Sequence, residues 1–227
     1  MSDIKKHERV NDILLGPLER PALKWLAAHM PAWMTPDACT IIGVIGTFMI
    51  AGGYILSRLD RNFLWLASFG FIVNWFGDSL DGTLARYRHI ERPVFGFFLD
   101  HIVDAASQMV IFTGMGMSPY ISFNIACLTL ASYLLLSVLA YVRTYVAGEF
   151  KISYGKLGPT EVRVIAILLN LCMYFGGLRT LSVPAGIFGR LTFSVYDLGV
   201  AAIALLLLFF FANTATQEAI RLGKEGK

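Results

Sequence analysis

The sequence predicts an all-α polytopic membrane protein: a six-transmembrane-helix bundle with an N-terminal interfacial amphipathic helix. Three observations carry this expectation. Of 227 residues, 56% are hydrophobic and 15% charged, with a mean hydropathy of +0.61. Six apolar runs each reach the roughly 20 residues needed to cross a core about 30 Å thick at about 1.5 Å per residue. Lys and Arg fall at the ends of those runs, strongly biased to one side.

The elements follow in chain order. Residues 10–30 mix Leu14, Leu18, Leu23 and Trp25 with Glu19, Arg20 and Lys24, the pattern of a segment lying on a membrane surface, kinked or split at Pro21. Met30 to Asp37 turns the chain, and Asp37 is placed to cap the first membrane helix. The spans are expected at 38–57, 62–85, 94–117, 120–146, 160–182 and 194–215. Short connections at 58–61 and 118–119 make hairpins of neighbouring antiparallel helices. Longer polar stretches at 86–93 and 147–160 lie together on one side, and Thr160 is placed to cap the fifth span. The division is thus a cytoplasmic N-terminus with interfacial segment (1–37), a six-helix transmembrane domain (38–215) and a cytoplasmic tail (216–227). No cleavage site follows the first apolar run, so no removable leader is expected.

With the N-terminus cytoplasmic, 15 of the 19 Lys and Arg residues lie on that side, leaving Arg58, Arg61, Arg179 and Arg190 on the other. Both termini are then cytoplasmic, and the protein is integral to a cell (inner) membrane. A net charge of +3 without a basic, aromatic-interleaved groove speaks against nucleic acid. Cys39, Cys127 and Cys172 lack metal-ligand spacing and read as packed thiols.

Four carboxylates stand out at the cytoplasmic end of the second and third spans: Asp78, Asp81, Asp100 and Asp104, within 27 residues. The three-residue step from Asp78 to Asp81 and the four-residue step from Asp100 to Asp104 each put two acids on one helix face. Two such pairs on adjacent helices can converge. Four close negative charges in a low-dielectric site need a cation or two to stay ionised, and hard oxygen ligands favour Mg²⁺ or Mn²⁺. Gly82 and Gly96, beside these acids, read as places of close approach. Arg86, at the end of the second span, can pair with phosphate.

The pattern Asp78-x-x-Asp81-Gly82-x-x-Ala85-Arg86, then Gly96-x-x-x-Asp100-x-x-x-Asp104, resembles the signature of the CDP-alcohol phosphotransferases, membrane enzymes of phospholipid head-group synthesis. All eight defining positions match, although nine residues separate Arg86 from Gly96, one more than the family's usual gap. The resemblance implies transfer of a substituted phosphate from a CDP-alcohol to an acceptor alcohol or lipid, with CMP released, at a site holding two divalent ions. Asp78 and Asp100 would serve both ions, Asp81 one, and Asp104 the other while acting as general base. Gly82, Ala85, Arg86 and Gly96 would contact the CDP moiety. Pro36-Asp37-Ala38-Cys39-Thr40 resembles the family's Pro-Asn-x-x-Thr turn, with Asp37 in place of Asn, which adds Asp37 and Thr40 to the nucleotide contacts. A homodimer is implied as well. The second half continues Asp100-His-Ile-Val-Asp104-Ala, unlike the Asp-Pro-Leu-Ala-Asp-Lys common in phosphatidylglycerophosphate synthases.

Lys156 and Arg163, opening the fifth span on the acid side, are candidates for a phosphate or head group of the second substrate. His101 points off the face of Asp100 and Asp104 and reads as a residue that packs or that supports a neighbouring acid. Two other functions fit intramembrane acids, a divalent-metal transporter and a non-catalytic scaffold. The clustering of the acids at one face disfavours the first.

Overall fold

Seven α-helices and one β-hairpin make up the computed structural model, which describes residues 14–147, 158–184 and 190–225. In order they are α1 (Gly16–His29), α2 (Pro36–Leu56), α3 (Phe63–Tyr87), α4 (Pro93–Gly116), α5 (Phe123–Ala147), α6 (Pro159–Gly176), β1 (Thr180–Pro184), β2 (Arg190–Ser194) and α7 (Val195–Glu225). Helices α2 to α7 are each long and apolar enough to span a membrane. Strands β1 and β2 pair antiparallel, with Thr180 opposite Ser194.

Between α2 and α3 the helices touch backbone to backbone, because glycine faces the contact from both sides. A Cβ on Gly46 would sit 2.4 Å from the Asn74 nitrogen, and one on Gly77 2.2 Å from the Gly43 nitrogen. In lipid, where apolar burial no longer drives helix association, such close van der Waals contact is the main adhesive. Gly114 brings α4 against Ala51 of α2 in the same manner. Ile50, Tyr54, Leu64, Ala67, Phe71, Ile111, Met115 and Met173 fill the main core. A second cluster, of Leu23, Ala27, Met34, Cys39, Leu80 and Leu84, seats α1 on the ends of α2 and α3.

Helix α6, which sends Met173 into that core, adds polar contacts to the packing. The Tyr54 hydroxyl donates to Asn170 Oδ1 (2.8 Å), and Asn170 Nδ2 donates to Ser68 Oγ (3.1 Å), all buried. Asn170→Ala strands the Tyr54 hydroxyl away from water, while Ser68 keeps its bond to the Leu64 carbonyl (2.9 Å), and the expected loss is about 1–3 kcal/mol. Thermal unfolding of the purified protein in detergent measures it, and an unchanged midpoint would mean that the network contributes nothing.

Several boundaries depart from expectation. Thr35, not Asp37, caps α2, its Oγ1 accepting from the Ala38 N–H at 3.1 Å; Asp37 lies inside the first turn. Gly158, not Thr160, is the N-cap of α6, and its N–H is taken by Glu161 Oε2 at 2.9 Å. The fifth span ends at Gly176, short of residue 182, because Gly177 adopts φ +65°, where a side chain would be strained. The chain then forms β1 where the helix was expected to continue. Pro21 does not split α1, which runs through it. Helix α7 continues past residue 215 to Glu225. Cys39 is buried as expected, whereas Cys127 and Cys172 are exposed on their helices.

Candidate active site

The last turns of α3 and the first turns of α4 lie at the same end of the bundle, joined by residues 88–92. Helix α3 closes with His89 at φ +56° and bonds from the Ile90 and His89 N–H groups to the Ala85 and Arg86 carbonyls (3.0 and 3.3 Å), a left-handed stop that reverses the chain. That reversal turns the two acid pairs toward each other. One carboxylate oxygen from each of Asp78, Asp100 and Asp104 lies within 4.8 Å of the others. Asp81 lines the same cavity, together with Thr40, Gly43, Asn74, Val103 and Ser107.

The acids are held individually. Asp81 accepts from Thr40 Oγ1 (2.7 Å) and from the Gly82 N–H (2.5 Å), which fixes it against the start of α2. Asp78 receives Arg163 Nη2 at 2.5 Å, and Arg163 Nε donates to Asn74 Oδ1 at 2.9 Å. Asn74 is oriented by its own donations to the Gly43 carbonyl (3.1 Å) and Thr47 Oγ1 (3.2 Å). His101 Nδ1 is 3.5 Å from Asp100 but 2.7 Å from the Phe97 carbonyl, its ring against Phe97 and Tyr141. It packs on those rings and also stands beside a carboxylate of the cluster.

Among the described ion pairs, one guanidinium and one histidine ring face the four carboxylates. Carboxylate oxygens from two helices, hard donors lying within 4.8 Å of one another, are chemically suited to divalent cations of the Mg²⁺ or Mn²⁺ kind.

The other anticipated residues distribute around this centre. Asp37 pairs with Arg92 at the surface. Arg86 is exposed on the last turn of α3, its Nη2 donating to Thr83 Oγ1 (3.3 Å), and a Cβ on Gly82 would meet its guanidinium at 3.3 Å. Ala85 is half-buried on that turn. Gly96 has open space where a side chain would stand, with nothing within 4 Å. The close approach read for Gly82 and Gly96 is therefore not to another helix; that part belongs to Gly43, Gly46 and Gly77. Lys156 lies outside the described residues.

Sequence reading passed over Asn74, one turn before Asp78, whose signal was an amide inside an apolar helix. It passed over Arg88 too, which donates to the carbonyls of Met30 (3.1 Å), Pro31 (2.9 Å) and Met34 (2.5 Å) and so fastens the turn between α1 and α2.

Comparison with known proteins adds an independent line. Residues 33–209 match the family model described as CDP-alcohol phosphatidyltransferase. Cholinephosphotransferase 1 of Gallus gallus is 27% identical over 172 residues, 72% of this chain and 50% of that one. A phosphatidylinositol phosphate synthase of Cutibacterium acnes is 36% identical over 92 residues, 40% of this chain and 41% of its own. An archaetidylinositol phosphate synthase of Pyrococcus horikoshii is 31% identical over 155 residues, covering 68% of this chain and 77% of its own. The chain thus spans about half the length of the cholinephosphotransferase it matches.

Proposed function

This chain belongs to the CDP-alcohol phosphatidyltransferase family, and from that premise we propose that it moves a substituted phosphate from a CDP-alcohol to an acceptor hydroxyl, releasing CMP. The observation that carries the reading is the meeting of Asp78, Asp100 and Asp104 from two helices within 4.8 Å. Asp78 and Asp100 would hold two divalent ions jointly, with Asp81 on one and Asp104 on the other. Such a pair supplies neutralisation of the pyrophosphate and of the departing CMP in an in-line displacement.

The chain's own groups do the rest. Asp104 takes the proton of the acceptor hydroxyl as its oxygen bonds to phosphorus and the phosphorus–oxygen bond to CMP breaks. Arg86, with Gly82, Ala85 and Gly96 leaving room beside it, receives the CDP moiety, and Asp37 and Thr40 border the entrance. Arg163, already against Asp78, is placed to take a phosphate of the second substrate, with Lys156 as its companion. Residues 38–215 form the catalytic domain, flanked by the segments 1–37 and 216–227. The arginine and lysine bias supports a site at the cytoplasmic face of the inner membrane, with both termini on that side. The active unit is proposed as a homodimer, to be tested by the mass of the solubilised protein.

The deciding experiment incubates purified protein and Mg²⁺ with CDP-diacylglycerol, CDP-choline or CDP-ethanolamine against polyols, inositol phosphate, serine and diacylglycerol, with products read by mass. CMP release is expected with one donor class. Chelation by EDTA is expected to bring it to background, and excess Mg²⁺ or Mn²⁺ to restore it. Turnover that survives removal of the ions would refute the two-ion reading.

A further inference from the structure

The amphipathic helix α1 is tied to the bundle through one carboxylate oxygen. Glu19 Oε1 accepts from Trp75 Nε1 (2.8 Å) and Ser79 Oγ (3.3 Å) of α3, and from Thr160 Oγ1 (2.7 Å) of α6. The tie is returned. Glu161 of α6, only 4% exposed, accepts the Leu15 N–H at the head of α1 through Oε1 (2.7 Å), while its Oε2 caps its own helix. Two acids from two helices are thus each taken up by the other helix, and both α6 anchor points lie within one turn of Arg163.

That placement matters because α6 brings Arg163 to Asp78. Residues 160 and 163 share a helix face, so the segment fixed by Glu19 is the one whose next turn sets the guanidinium. Ser79 stands beside Asp78 in sequence, and the same oxygen therefore references both helices that form the ion pair.

We propose that Glu19 is a positioning residue: with Thr160, and backed by the Glu161–Leu15 bond, it staples α1 across α3 and α6 and thereby fixes Arg163 against Asp78. The interfacial helix is then part of the active-site scaffold as well as a surface anchor. The consequence for turnover rests on the transferase reading; the staple itself does not.

Two measurements test it. Hydrogen exchange of the 158–165 segment in detergent is expected to quicken by at least about tenfold in Glu19→Ala and Thr160→Ala, and to stay near wild type in Glu19→Gln and Thr160→Ser, which retain the accepting oxygen and the donating hydroxyl. In the active protein, Thr160→Ala is expected to lower kcat/KM by on the order of tenfold, since small misplacements of a catalytic group are costly. Placed on Arg163→Ala, the same change should have little further effect, because the staple acts through Arg163. Unchanged exchange in both alanine variants would overturn the staple, and multiplicative losses in the double variant would overturn its action through Arg163. Should the wild type turn over no CDP-alcohol, the transferase reading fails, while exchange still decides the staple.

Discussion

Asp104→Asn is expected to lower CMP release by about 10² to 10⁴-fold, the range spanned when a general base is lost, with the protein still folded. The substitution keeps shape but removes a negative charge from a cluster whose oxygens lie within 4.8 Å. In the proposed scheme it also removes the acceptor of the hydroxyl proton. Quenched-flow release of CMP under saturating donor gives the rate, and a Mn²⁺ titration separates the two losses: preserved affinity with lost rate assigns the base, lost affinity the ligand. A near-normal rate would exclude Asp104 from either part. Asp37→Asn tests the entrance. Asp37 is half-exposed and paired with Arg92 at the surface, and the family turn it resembles carries Asn, so the rate should change by no more than about threefold, as for an exposed ion pair.

The acids were legible because a charge inside an apolar helix has few structural explanations, and because the steps 78 to 81 and 100 to 104 fit helix geometry. Six spans were legible for the same reason of apolar length. What escaped was what depends on neighbours. Glu19 and Glu161 look in sequence like surface charges beside a membrane, yet each accepts a bond from another helix. Thr160 stood where a cap was plausible, but Glu161, at the third helical position, already serves Gly158. The hairpin of β1 and β2 escaped because its first strand begins within the expected fifth span and its second lies in the connection that follows, although Gly176-Gly177 was a stop signal of the kind that ends helices. Arg163 was read as a phosphate contact from its position; its bond to Asp78 required knowing which helix lies opposite.

Gly77→Ala is expected to be the most damaging single-methyl change among the described glycines. The added carbon would lie 2.2 Å from the Gly43 nitrogen, 2.4 Å from the Cys39 carbonyl oxygen and 2.6 Å from the Gly43 Cα. Ordinary contact begins near 3.4 Å, and every atom in the way is backbone, so no side chain can swing aside. Helices α2 and α3 must part by about 1 Å, with a cost at or above the usual 1–3 kcal/mol of overpacking. The damage would extend to the site, because Cys39 adjoins Thr40, whose hydroxyl holds Asp81 at 2.7 Å. Folded yield and unfolding midpoint are expected to drop sharply, and the fraction that folds should turn over more slowly. Gly96→Ala is the opposite case: its Cβ enters open space, so stability should be unchanged and any loss confined to KM for the CDP-alcohol. Equal stability of the two variants would show that the α2–α3 contact tolerates separation, and the close-packing account of the bundle would fall with it.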